Sequence, residues 1–175
     1  MADYLTLICQ IIKRELNLDD GQIWIYNIKR FIPEDKRVYV EVSDNASDKI
    51  ISNQKHYEDD GNGGINVIQA LITQTSISVD VCSYGEDART ARDHIIMALN
   101  SEYSIETQEA NGFHIAPHSV TVNALDEIDG AKILYRFNIS FNIHRSAETT
   151  KKTKDFIKGR IGIKVDPKGS AETDI

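Results

Sequence analysis

Five histidines, two cysteines and a run of acids are the residues of this chain whose types could hold a metal or move a proton. His114 and His118 stand four apart, but the segment between them carries Pro117, and no Cys or acid falls at ligand spacing beside them. His94 falls on the polar side of a helix, His144 at a strand end and His56 in a polar stretch; solvation is the plainer reading of each. Cys9 and Cys82 have neither CxxC spacing nor the density of a disulfide scaffold, and read as reduced structural thiols. The most metal-like string is Glu58, Asp60, Asn62, Gly63, Ile65 and Gln69, at positions 1, 3, 5, 6, 8 and 12 of an EF-hand frame. Position 12 lacks its bidentate Glu, position 1 is Glu in place of Asp, and no helix is predicted on either side. A hydrolytic centre would need His56, Asp59 and Asp60 drawn together. The Gly61-Asn62-Gly63-Gly64 run lacks the lysine and hydroxyl of a phosphate loop, and the sequence contains neither G-x-S-x-G nor H-E-x-x-H. The chain is therefore read as a non-enzyme with no cofactor, no metal and no catalytic residue.

The elements that must position any site centre on residues 71–100. From Thr75 to Cys82 one parity is Thr75, Ile77, Val79 and Val81 and the other is Ser76, Ser78, Asp80 and Cys82, which is strand period with one apolar face. After Ser83-Tyr84-Gly85, Glu86 and Asp87 match the positive end of a helix whose apolar residues recur at Ala88, Ala91, Ile95 and Leu99. Burying Ile95, Ile96, Met97 and Leu99, at roughly 1.5–3 kcal/mol each, requires a sheet beneath that helix.

Around this unit, Asp3 to Asn17 predicts a cover helix on a stripe of Leu5, Ile8, Cys9, Ile12 and Leu16. Ile23 to Ile28 and Val38 to Val42 predict two strands forming an antiparallel, hairpin-like pair. Ser43 to Gly64 is polar and predicts one long loop. Residues 101–111 are polar and end in a turn at Asn111-Gly112, and Phe113 to Asn123 is a broken strand in which Pro117 forbids a central ladder position. The clearest strand places Ile133, Tyr135, Phe137, Ile139, Phe141 and Ile143 on one face, and its length predicts an overhang beyond its own sheet. The expected fold is α+β: a mainly antiparallel sheet with an N-terminal helix and a central helix packed on it, one long polar loop and an extended C-terminal segment. Residues 1–145 form the domain, and 146–175 a basic strand or arm that belongs to it or docks on a neighbour.

The composition, 41% hydrophobic and 27% charged over 175 residues, is that of one ordinary core. No apolar run approaches the roughly 20 residues of a membrane span, and the opening residues lack a signal pattern, so a membrane partner and export are not expected. The net charge of −7 is unevenly spread. Residues 145–168 carry eight Lys or Arg against three acids, leaving the rest of the chain at −12. An acidic body argues against gripping nucleic acid, and a basic arm gives it head-to-tail complementarity.

In element order the chain resembles the tail terminator, or neck (tail completion), proteins of tailed bacteriophages. The residues that carry the likeness are the N-terminal helix, the strand from Gln22-Ile23-Trp24-Ile25-Tyr26, the long polar stretch, the run Gln74 to Ala88 leading into a helix, and Leu134 to Phe141. The resemblance implies a virion subunit at the neck end of the tail, assembled in the host cytoplasm into a ring, usually sixfold, that caps the tail tube and joins tail to head. Its partners would be further copies of itself, the tail tube protein, a connector protein and the sheath, with DNA passing through without specific binding. It implies regions, not catalytic residues: a lumen- or tube-facing loop with Asp44, Asp48, Lys49, Glu58, Asp59 and Asp60, and an interface with Trp24, Tyr26, Arg136, Arg145, Lys151, Lys152, Lys154 and Arg160. The alternatives are a connector or stopper of the adjacent neck layer, or a small metal-binding or hydrolytic domain using residues 43–64.

Overall fold

The computed structural model describes residues 3–26, 32–59, 61, 64–129 and 132–153. Their elements run α1 (Tyr4–Glu15), β1 (Ile23–Ile25), β2 (Tyr39–Asp59), β3 (Ile65–Ser83), α2 (Asp87–Ala98), α3 (Glu102–Asn111), β4 (Phe113–Ala124), β5 (Glu127–Asp129) and β6 (Lys132–Thr153). The chain divides into two compact units, residues 1–54 with 70–147 and residues 55–69 with 148–175.

The sheet order is β1-β2-β3-β6-β4, with β5 added to β6. This corrects the expected fold class. The sheet is mixed, not mainly antiparallel, strand residues outnumber helical ones about two to one, and three helices accompany the sheet where two were expected. The predicted antiparallel pair is in fact parallel, with Ile23 opposite Val40 and Ile25 opposite Val42. Residues 26–38 between them are long enough for the crossover of about a dozen residues that parallel neighbours require.

The other corrections have equally local causes. The expected loop from Ser43 to Gly64 is mostly strand, because β2 runs on to Asp59 and β3 starts at Ile65. Backbone pairing to the adjacent strand supplies the ladder there, whatever the side chains are. Residues 101–111, read as polar chain, contain α3. Ser101 caps it by accepting a hydrogen bond from the Ser104 amide at 3.1 Å, and Gly112 ends it at φ 68°. It shows no apolar stripe because the side chains it buries are Ser104 and Gln108. The Ser104 hydroxyl donates to the Leu99 carbonyl at 2.8 Å, Gln108 Nε2 donates to Ser104 Oγ at 2.9 Å, and Gln108 Oε1 accepts from the Ile115 amide at 2.7 Å. Each buried polar atom in this relay has a partner, which is what burial requires of it.

The parity read from β3 holds. Thr75, Ile77, Val79 and Val81 are buried, and Ile77 and Val79 join Val40 and Val42 of β2 and Phe137, Ile139, Phe141 and Ile143 of β6 in one core. α1 contributes Leu5, Leu7, Ile8, Ile11 and Ile12, a broader stripe than expected, and α2 contributes Ala88, Ala91, Ile95 and Leu99. Met97 does not join them; it is 60% exposed, on the outer side of α2. Asp3 caps α1, and Asn17 closes it at φ 50°, a left-handed position that Asn tolerates better than most residues. β4 lies at the end of the strand order, and its register shifts between Ala116 and Thr121, around Pro117. There the Ser119 hydroxyl donates to the Ala116 carbonyl at 2.7 Å and accepts the Asn142 amide of β6 at 2.8 Å, so a side chain bridges the interrupted ladder.

Candidate interaction surface

Alternation along β3 and β6 sends the polar parity to the sheet face opposite the helices. Asp80, Arg136, Asn138, Ser78 and Ser140 are all half-buried there. Arg136 Nη2 donates to Asp80 Oδ2 at 2.9 Å, and Asn138 Nδ2 donates to Asp80 Oδ1 at 2.8 Å and to Ser78 Oγ at 2.6 Å. The Ser140 hydroxyl donates to Asn138 Oδ1 at 2.8 Å. On the neighbouring strands Trp24 Nε1 donates to Glu41 Oε2 at 3.0 Å. A small apolar cluster of Tyr39, Cys82 and Leu134, with Trp24 and Tyr84 against it, occupies the same parity. Such a face presents fixed charges and amide groups, which suits specific docking of a polar surface.

A second cluster ends the helix-side core. Arg145 of β6 donates from Nη2 to Asp48 Oδ2 at 2.6 Å and to Thr75 Oγ1 at 3.1 Å, and Thr75 Oγ1 donates to Asp48 Oδ1 at 2.5 Å. The guanidinium lies 4.7 Å from the centre of the Tyr4 ring, and the Tyr4 hydroxyl donates to Asp44. The Thr75 hydroxyl, with Arg145 behind it, holds the Asp48 carboxyl below its usual range despite some burial. Burial first, then the Asp44 hydrogen bond, push the Tyr4 phenol up. Burial likewise pushes the Cys9 thiol up to about 12, keeping it neutral and unreactive.

The residues singled out in the sequence are dispersed. Asp48 and Arg145, assigned to two different surfaces, are paired with each other. Asp44 partners Tyr4, and Lys49 is exposed on β2. Glu58 and Asp59 are exposed at the end of β2; Glu58 lies 3.5 Å from His56, and Asp59 accepts the Gly61 amide at 2.7 Å. Tyr26 is largely exposed, and Lys151 and Lys152 are exposed on β6. Asp60, Lys154 and Arg160 lie outside the described residues. The EF-hand frame loses its setting, since strands and not helices flank it. Among the described residues no three His, Cys, Asp or Glu side chains gather as a metal would need.

What sequence reasoning missed is an apolar pair. Ile128 of β5 and Ile133 of β6 face each other across an antiparallel pair, 85% and 49% exposed. Two residues on, Tyr135 lines a cavity of about 410 Å3 with Glu86, Asp87, Arg89 and Thr90 at the start of α2. The hint in the sequence was Ile128 itself, an isoleucine set between Asp126-Glu127 and Asp129. A scan against protein-family models finds no match to this chain, and neither does a search of curated proteins.

Proposed function

We propose that this chain is a structural subunit of the tailed-phage neck, a tail terminator whose copies form a ring, six in the usual case, over the end of the tail tube. The reading starts from the sequence resemblance. The observation that carries it further is strand length: β2, β3 and β6 have 21, 19 and 22 residues, against the 3–10 of most globular strands. Lys49 to Ile51 and Asn53 to Asp59 of β2, and Ser146 to Lys152 of β6, are exposed. Strands of that length and exposure serve a protein whose surfaces are completed by neighbours, as in a closed ring.

The charge distribution supports the same role. A body near −12 repels phosphate and lets a duplex slide, whereas a basic lining would hold it. The tube protein on one side and a connector on the other are the partners this role needs. The test is immunogold electron microscopy of virions from the genome that encodes the chain. Label at the head–tail junction is the expected result; label one layer nearer the head assigns the adjacent connector, and its reproducible absence from virions overturns the reading.

A further inference from the structure

Pairing of β4 with β6 sets His114 directly opposite His144, inside the regular antiparallel block that joins Phe113–Ala116 to Asn142–Arg145. Their neighbours Phe113, Ile115 and Ile143 are buried in the core, so strand alternation puts both imidazoles on the sheet face away from the helices. Directly opposed residues of an antiparallel pair have Cβ atoms about 4.5–5.5 Å apart. Two ring nitrogens carried on such a pair can approach to the roughly 3 Å that bonds of about 2.0–2.1 Å to one shared ion require. His118, nearer to His114 in sequence, falls in the register shift after Pro117 and has no opposite residue on β6.

The backbone beneath the pair is fixed. Gly112 turns the chain from α3 into β4, and Gln108 Oε1 accepts the Ile115 amide. His114 is exposed and His144 half-buried, and neither ring has a hydrogen bond, ion pair or ring contact with another described residue. The surrounding charge does not oppose a cation. The next pair on this face is Ala116 and Asn142, and β6 continues with Ser146. Residues 70–79 of β3, on the other side of β6, contain no charged residue. Arg145 lies on the opposite parity, where Asp48 and Thr75 hold it. Glu109 borders a cavity of about 360 Å3 beside His114, and its sign favours a cation.

We propose that His114 and His144 together chelate one late first-row divalent ion, of the Zn2+, Ni2+ and Cu2+ class that imidazole nitrogen suits, and not Mg2+ or Ca2+, which take oxygen. Two protein ligands are fewer than the three of a catalytic zinc or the four of a structural one, so this ion exchanges and completes its shell with water. Once bound, it ties β4 to β6 just before Pro117 interrupts their ladder. It stabilises the fold, because only the folded chain sets the two rings opposite each other. The inference does not depend on the neck reading.

Zn2+ is titrated calorimetrically into the full-length chain and into His114→Gln, His144→Gln, the double variant and His118→Gln, with thermal melts of each before and after addition of the ion. The expected result is one Zn2+ per chain, a raised melting temperature and no response to Mg2+. A chelate needs both arms, so either single substitution should weaken binding at least about tenfold, and the double variant should lose no more than a single one. His118→Gln should bind as the parent does, and the ion-free melts should show every variant folded. A second readout needs no substitution: one equivalent of Cu2+ should give an electron paramagnetic resonance spectrum with two nitrogen ligands. Partial losses that add in the double variant would show two independent surface imidazoles. That additivity, binding unchanged in either single variant, an equal loss in His118→Gln, or a Cu2+ spectrum with a single nitrogen overturns the proposal.

Discussion

The two faces of the sheet are built from the same strands by different physics. Beneath the helices, Ile77, Val79, Ile139 and Ile143 are wholly buried and held by shape. On the opposite face Ser78, Asp80, Arg136 and Asn138 are half-exposed and held by directed bonds. Apolar burial at about 25 cal/mol per Å2 makes the first face the source of stability. The polar residues of the second contribute little to folding, since half-exposed ion pairs are worth up to about 1 kcal/mol, and its apolar burial is confined to the Tyr39, Cys82 and Leu134 cluster. What it offers is a fixed pattern of charge.

The largest test of that division is Ile139→Ala, which should cost about 2–5 kcal/mol in a urea melt because the cavity it leaves cannot fill. Next comes the polar relay that interrupts the apolar side. Gln108→Leu strands the Ile115 amide and should cost about 1–3 kcal/mol. Asp80→Ala on the open face should cost at most about 1 kcal/mol and yet weaken the ring assembly proposed above, read by sedimentation. A loss there equal to that of Ile139→Ala would make the polar face a second core.

The pH dependence sharpens the contrast further. Asp48 has a folded pKa below its unfolded value, so its contribution is complete above the ordinary carboxylate pKa and is lost as pH falls through the folded one. Melting temperatures followed from pH 6 down to about pH 2 should fall, and Asp48→Asn should flatten part of that limb. A limb unchanged in the variant would remove Asp48 from the account. The smallest effect belongs to Met97→Lys, outside both faces, which should stay within about 0.5 kcal/mol of the parent.

Elements whose side chains carry a period were legible from sequence. Thr75 to Val81 and Phe137 to Ile143 announce their buried parity, and Ala88, Ala91 and Ile95 announce a helix. β2 beyond Ser43 was not legible, since Asp44, Asp48 and their neighbours carry no apolar alternation, and its pairing is with backbone. α3 hid because its buried positions are Ser104 and Gln108, although Ser101 and Gly112 were readable as its caps. The parallel direction of β1 is a property of the crossover, and composition does not encode it. Of the surfaces, the Asp48–Arg145 pair joins residues 97 apart in sequence, which no local pattern reveals.

The break in β4 bears on a hazard that any protein with an open sheet edge faces. An outer strand with an uninterrupted ladder can recruit further copies without limit and precipitate as fibres. At Pro117 the ladder has no donor to offer, and the register shift up to Thr121 means that a straight incoming strand meets matching groups only in short stretches. Restoring a regular strand there, with Pro117→Thr and the bulge shortened, would turn the end of the sheet into a seed. Irregularity at this margin keeps the outer strand from templating such growth.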